Sequence, residues 1–146
     1  MKISILLPYK ENFSPIYAGA VSLFVKDTTK ISKFRDKITV YGSTELKKIF
    51  NLKYNNILLK KNMTQSGSKV YVNEFLKHEK KNPSDIIEIH NRPNYFHLIY
   101  NSLKDKKIIL YFHNDPLTMT GSRSISSRRK LLSNATKIIF NSHWSR

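Results

Sequence analysis

The sequence predicts an α/β domain of Rossmann-like architecture, in which helices cover both faces of a mostly parallel sheet in three layers. Short apolar segments of strand length alternate with amphipathic helix patterns along the chain, as in parallel sheets joined by helices. Tight-hairpin signals are few, so we expect right-handed crossovers between strands. Several strand-like segments end in polar residues, at the position where open α/β sheets bind ligands.

The expected strands are short apolar runs bounded by polar or turn residues. The first, residues 2–7, is almost continuously apolar, which is typical of a parallel strand buried on both faces. The other predicted strands span residues 38–41, 54–59, 86–89, 108–112 and 137–141. Residues 60–68 are polar and predict a loop.

The expected helices carry apolar residues at helical spacing on one face, as at Val21, Phe24 and Val25. Ser43 or Thr44 can act as the N-cap of a short second helix. The predicted helices span residues 18–32, 45–50, 69–81, 95–103 and part of 122–134.

The composition fits a single domain, residues 1–146, which is long enough for a hydrophobic core. There is no cysteine, which excludes disulfides and thiolate metal sites. The 26 Lys and Arg residues outnumber the 10 Asp and Glu residues, so the formal charge is +16. Two explanations stay open. One is an acidic partner such as a membrane surface, a phosphate-rich ligand or nucleic acid; the other is an AT-rich gene that favours Lys throughout.

The sequence predicts a cytoplasmic protein. No apolar stretch approaches the roughly 18 residues that a membrane-spanning helix needs, and the N-terminal apolar run ends at Pro8, short of a signal peptide. A basic segment contains Arg123, Arg128, Arg129 and Lys130. It could hold the protein against anionic lipid at the inner face of the cytoplasmic membrane or bind an anionic acceptor, or it could be a solvated helix face.

The first candidate site lies where the first strand leads into the first helix. Gly19 and Ala20 stand at the expected helix N-terminus, where free N–H groups and the helix dipole attract phosphate. Gly19 would let a ligand approach the backbone closely. It could equally serve tight helix–sheet packing, because neither G-x-G-x-x-G nor a P-loop is present.

His113, followed by Asn114 and Asp115, closes the strand predicted at residues 108–112. A neutral imidazole at a strand end can bond a hydroxyl or polarise a leaving group, which makes His113 the candidate catalytic residue. The alternative is a loop histidine that caps the next element.

His90, Asn91 and Arg92 close the neighbouring strand. The planar guanidinium of Arg92 could pair with a phosphate or carboxylate, or the three residues could form only a turn. His143, after the last strand, would be the third histidine of one shared cleft. No close-spaced pair such as H-x-x-x-H occurs, so we expect no metal.

Other chemistries have no support in the sequence, which contains no nucleophile elbow and no paired-carboxylate pattern. Four aromatic residues are expected to pack in the core or in loops rather than to stack on bases. They are Tyr9, Phe13, Tyr17 and Trp144.

Four stretches, in this order, are similar to the motifs of one enzyme family. Residues 18–23 contain Ala-Gly-Ala where a Gly-Gly pair is common, and residues 85–91 are similar to D-hydrophobic-hydrophobic-x-x-H. Residues 109–115 are similar to hydrophobic-x-H-D/N, and residues 135–142 to A-D-x-I-I-x-x-S. Together they resemble the N-terminal Rossmann-like half of a GT-B glycosyltransferase, in glycosyltransferase family 4.

This resemblance implies a retaining transfer of a sugar from a nucleotide sugar to a glycan or lipid-linked acceptor, as in cell-envelope polysaccharide synthesis. The N-terminal half would mainly bind the acceptor, and neither a metal nor another cofactor would be needed. Gly19 and Ala20 would approach the donor diphosphate, and His113 would contact the donor sugar. The residues that would face the acceptor are His90, Asn91, Arg92, Asn114 and Asp115.

The chain departs from the family in two respects. Ala18 replaces one Gly of the common pair. The family's second Rossmann domain, with its basic pair and its two spaced glutamates, has no counterpart within residues 1–146. We therefore expect a fragment of a full glycosyltransferase that is inactive alone.

Two other functions remain open. A basic nucleic-acid-binding or sugar-binding module without catalysis would suit the charge, but no RRM, KH, helix-turn-helix or zinc-finger signature is present. We therefore expect no specific nucleic acid partner. A dehydrogenase would need G-x-G-x-x-G and an acidic residue after the second strand, where Tyr41-Gly42-Ser43 stands.

Overall fold

A computed structural model describes residues 1–59 and 66–142 and confirms the predicted α/β class. Within these residues, six parallel strands form one sheet in the order β3-β2-β1-β4-β5-β6. The strands are β1 (Ile3–Leu6), β2 (Ile38–Gly42), β3 (Tyr54–Asn56), β4 (Ile86–His90), β5 (Lys107–Phe112) and β6 (Lys137–Phe140). The architecture is that of a three-layer Rossmann-like domain.

The helices agree with the predicted amphipathic segments at four places. They are α1 (Ala20–Ile31), α2 (Gly67–Lys81), α3 (Pro93–Ser102) and α4 (Ile125–Asn134). Their starts follow local capping chemistry: the Ser66 side chain accepts the Lys69 N–H at α2, and Ser124 accepts the Ser127 N–H at α4. Pro93 opens α3, where the absent N–H of proline has no consequence. None of the helices in the described ranges is both long and apolar enough to span a bilayer.

The strand order reverses at β1, which pairs with β2 on one side and with β4 on the other. The chain runs outward from β1 to β3 and then crosses back through α2 to β4. A crevice therefore opens beyond the carboxyl ends of β1 and β4, the usual ligand position in such sheets.

Each face of the sheet has its own hydrophobic cluster. On one face, Val21 and Val25 of α1 pack with buried residues of β1 and β2. On the other face, α2, α3 and α4 pack against the sheet, and Ile87 and Ile89 of β4 belong to this second cluster. Side chains alternate along a strand, so Glu88, which lies between these two isoleucines, and His90, which follows them, point to the α1 side.

The helix predicted over residues 45–50 is wrong, and the strand predicted over residues 54–59 ends at Asn56. Tertiary hydrogen bonds replace the expected cap. The Thr44 N–H donates to Asn56 Oδ1 at 2.9 Å, Asn56 Nδ2 donates back to the Thr44 carbonyl, and Thr44 Oγ1 donates to Asn12 Oδ1. These bonds fix Thr44, and a six-residue helix has too little propensity to compete.

The four aromatic residues expected to pack have different outcomes. Phe13 is fully buried, and Tyr9 packs partly buried against the second cluster. Tyr17 is 73% exposed, so its predicted packing is wrong. Trp144, like His143, lies outside the described residues.

A buried carboxylate ties α2 to the amino-terminal edge of the sheet. Glu79 is only 2% exposed. Its Oε1 accepts a short hydrogen bond from Ser4 Oγ of β1, and its Oε2 accepts the Ser84 N–H at 3.1 Å and the Ser84 hydroxyl at 2.9 Å. Lys106 Nζ lies 4.0 Å from the same oxygen. This network joins α2, β1 and the segment before β4.

Candidate functional site

The carboxyl ends of β4 and β5 bring two of the predicted histidines together. His90 Nδ1 lies 2.9 Å from His113 Nε2. On its other side, His90 Nε2 lies 2.6 Å from Glu88 Oε1. A carboxylate, a buried imidazole and a second imidazole therefore form one hydrogen-bonded row, which we call the Glu88–His90–His113 row.

The row follows from the strand alternation. Glu88 and His90 are two residues apart on β4, so they share the face opposite Ile87 and Ile89. Tyr111 of β5 is the register partner of His90, and its ring stacks on both imidazoles at centroid distances of 5.3 and 4.8 Å. Phe24 of α1 meets the His113 ring edge-on at 4.9 Å.

Burial, with a smaller contribution from the neighbouring His90, lowers the pKa of His113 from its usual value of 6.5 to about 4. The Glu88 carboxylate only partly offsets these two effects. His113 is therefore a neutral imidazole at neutral pH. It can donate one hydrogen bond and accept one, but it carries no charge for an anion.

Asn91 shapes the corner that carries His113. Its backbone is left-handed, with φ of 56°, a conformation that Asn tolerates better than most residues. Its Oδ1 accepts the N–H groups of both His113 and Asn114 at 3.3 Å, and its own N–H donates to the Tyr111 carbonyl at 2.8 Å. Asn91 is 6% exposed, and its side chain stabilises the loop after β5.

The other predicted acceptor residues lie around this corner at different depths. Arg92 is half-buried and donates to the Asn91 carbonyl at 2.8 Å. It lines a cavity of about 210 Å³ together with Asn94 and Thr120. Asn114 is exposed, whereas Asp115 accepts the Leu117 N–H at 2.8 Å and caps a short 3-10 turn. His90 is fully buried, so it can reach a ligand only through His113.

The helix N-terminus predicted to attract phosphate is already occupied by a carboxylate. Gly19 is the N-cap of α1, and Ala20 is its first residue. Glu11 Oε1 accepts the Ser22 N–H at 3.1 Å. A Cβ atom on Gly19 would lie 1.9 Å from that same oxygen. The missing side chain of Gly19 therefore makes room for Glu11, an outcome that neither of the predicted roles of Gly19 included.

The basic segment at α4 is partly committed to the fold. Arg128 donates to the Ser122 and Arg123 carbonyls at 2.9 and 2.6 Å, and Arg123 donates to the Thr118 carbonyl at 2.9 Å. Arg129 and Lys130 are exposed. Only the latter two are thus available to an outside anion without loss of an internal hydrogen bond.

The sequence predicts His90 and His113 as site residues, but the structure adds Glu88, Tyr111 and Glu11, which were not predicted. The two-residue spacings Glu88–His90 and Tyr111–His113 were a usable signal, because such pairs share one face of a strand. Glu11 had no comparable signal, since its position depends on the path of the loop before α1. Within the described ranges, no group of three or more His, Asp and Glu side chains could hold a metal ion.

Comparison with known proteins adds no family to this description. No protein-family model matches the chain, and no curated protein matches it either.

Proposed function

We propose that this chain is the N-terminal, acceptor-binding half of a retaining GT-B glycosyltransferase that uses a nucleotide sugar. The observation that carries the proposal is the placement of a neutral His113 at the carboxyl end of β5. It stands beside the crevice where the strand order reverses. The ordered motif resemblance supports the same assignment.

A sugar hydroxyl suits this histidine better than a phosphate does. A neutral imidazole pairs with a hydroxyl as donor or acceptor, and the stacked Tyr111 and Phe24 rings give it an apolar setting. Asn114 is exposed next to it, and Arg92 lines the adjacent cavity. In our proposal His113 meets the donor sugar, while Asn114 and Arg92 belong to the acceptor-side surface, for a glycan or lipid-linked acceptor.

The donor diphosphate would approach Gly19 and Ala20, and this step requires Glu11 to leave. A carboxylate and a phosphate cannot share one helix end, because like charges at such distances repel strongly. We therefore expect weak donor binding by this chain and no transfer without the donor-binding half. Contact of Arg129 and Lys130 with anionic lipid at the inner face of the cytoplasmic membrane belongs to the same proposal.

Chemical-shift mapping on the ¹⁵N-labelled chain tests the proposal. A panel of simple glycosides should shift the amides of His113 and Asn114, and His113→Ala should abolish the shifts. His78→Ala is the matched control, because His78 lies on α2 next to Asn55, away from the His113 corner. If no glycoside shifts these amides, or if His113→Ala leaves the shifts unchanged, the proposed sugar site at the His113 corner is wrong.

The charge of +16 favours the second candidate, a nucleic-acid-binding module. Its distinguishing property is sequence-selective binding of an oligonucleotide at physiological salt. Such binding, combined with an absence of glycoside shifts, would select this module over the transferase half.

A further inference from the structure

We propose that Glu88 and His90 are positioning residues that set the tautomer of His113, with its proton on Nε2 and its lone pair on Nδ1. The geometry of the Glu88–His90–His113 row carries this inference. The tautomer is a property of the chain alone. Only the identity of the group that meets Nδ1 rests on the proposed function.

The hydrogen bond between His90 and Glu88 runs from the imidazole to the carboxylate. Glu88 Oε1 lies 2.6 Å from His90 Nε2, and an ionised carboxylate can only accept. His90 Nε2 must therefore carry a proton and donate it to Glu88. His90 has no exposed surface, whereas the Glu88 side chain is 24% exposed, so the carboxylate keeps contact with water at the outer end of the row.

The two tautomers of a neutral imidazole differ in which ring nitrogen carries the proton. With its proton on Nε2, neutral His90 has only a lone pair on Nδ1. His113 Nε2 lies 2.9 Å from that nitrogen, and two lone pairs facing each other at this distance would repel. With His90 neutral, His113 Nε2 must therefore carry a proton and donate it to His90 Nδ1. The remaining acceptor nitrogen of His113 is Nδ1.

Packing keeps the rings in this arrangement. The Tyr111 ring lies nearly parallel to both imidazoles, at 11° to His90 and 21° to His113. Phe24 meets the His113 ring at 77° from the α1 side. Asn91 holds the His113 backbone N–H. A rotated His113 ring would place a carbon atom against His90 Nδ1, so the hydrogen bond and the stack favour the same orientation.

The consequence concerns what His113 can recognise. A ring that presents Nδ1 as an acceptor bonds a ligand O–H or N–H and repels the oxygens of a phosphate or carboxylate. Within the proposed function, the group at His113 is therefore a hydroxyl of a sugar that donates its hydrogen. The phosphates must be bound elsewhere.

The experiment is a long-range ¹H–¹⁵N correlation spectrum of the chain with ¹⁵N-labelled histidine, recorded above the usual imidazole pKa of about 6.5. In wild type, both His90 and His113 should show the pattern of a protonated Nε2 and a bare Nδ1. In Glu88→Gln, the amide can donate as well as accept, so the Nδ1–H form of His113 should gain population. Glu74→Gln, on the exposed face of α2, should leave both patterns unchanged.

Each outcome of this experiment either supports or contradicts the proposed tautomer of His113 or the positioning role of Glu88. A bare Nε2 on His113, or an imidazolium at His90 in wild type, would overturn the assigned tautomer whether or not a variant folds. An unchanged pattern in Glu88→Gln would remove Glu88 as the determinant. If the wild-type and Glu88→Gln patterns are as expected but no glycoside shifts the His113 amide, the positioning role stands and the proposed function fails.

Discussion

At the scale of single residues, the site depends on two titratable side chains. The protein keeps one of them neutral and places the charge of the other at a helix end. His113 is neutral because of burial and its neighbours, and Glu11 is paired with a helix end. The sequence could predict His113 from its place after an apolar strand. It could not predict that Glu11, eight residues before Gly19, would reach the helix N-terminus, because loop paths have no periodic signature.

The neutral state of His113 makes stability depend on pH. Its pKa is about 4 in the folded chain and close to 6.5 when unfolded, so unfolding takes up a proton between these values. This contribution to stability is therefore complete above about pH 6.5 and is lost as the pH falls towards 4. The loss in urea midpoint on going from neutral to mildly acidic pH should be larger for wild type than for His113→Asn. Equal losses would contradict the lowered pKa.

Removal of the Glu11 charge should open the helix end to anions. In Glu11→Gln, the folded chain should lose about 0.5–1 kcal/mol of stability, because a charge near the helix dipole is removed. Titration calorimetry should show tighter binding of a nucleoside diphosphate. Asp27→Asn, which removes the same charge from an exposed pair on α1, is the control. Equal affinity in the Glu11 and Asp27 variants would exclude this helix end as the anion site.

At the scale of elements, most helix and strand positions follow from the periodicity of apolar residues. The wrongly predicted helix over residues 45–50 shows where local sequence signals fail. Residues 45–50 carry an N-cap signal, but Thr44 is held by Asn12 and Asn56 from distant segments. Local propensity over one or two turns is weaker than several tertiary hydrogen bonds. The start of α2 at Gly67, two residues before its predicted start, follows instead from local chemistry, because the Ser66 side chain caps the helix.

Among the elements, α2 should depend on its buried carboxylate. Glu79→Ala leaves Ser4 and Ser84 without their shared acceptor and removes the carboxylate that faces Lys106, so we expect a loss of about 3 kcal/mol in the free energy of unfolding. Glu74→Ala, on the same helix, breaks only an exposed pair with Lys77 and should cost less than about 1 kcal/mol. Chemical denaturation of the two variants measures the difference. Similar losses would mean that the Glu79 network adds little.

At the scale of the whole molecule, the class was predictable but the strand order was not. Alternating strands and helices indicate a parallel sheet, yet many orders satisfy that pattern. The crossover through α2 places β4 on the side of β1 opposite β2. This placement depends on which strand and helix faces are buried together; Ile87 and Ile89 of β4, for example, belong to the second cluster. The pairing of His90 with His113 follows from this order, because β4 and β5 are neighbours.

The overall charge predicts non-specific binding to nucleic acid, which must be distinguished from a functional interaction. With +16 on 146 residues, the chain should bind any oligonucleotide at low salt. That affinity should fall by about a thousandfold or more between low and physiological salt, since binding of this kind releases counterions. Fluorescence anisotropy with two unrelated sequences measures both effects. A sequence preference that persists at physiological salt would contradict a merely compositional charge.

The weak edge of the sheet has a consequence for how long the site stays assembled. In the part of the chain that the structure describes, β6 is an edge strand whose apolar residues Ile138, Ile139 and Phe140 are only half-buried. Its amides should therefore exchange with deuterium before those of central β1 and β4. Asn141 follows this strand and donates to the His113 and Phe112 carbonyls. Each fraying event at β6 releases these bonds, so the lifetime of an ordered His113 corner is tied to the opening rate of the least protected strand.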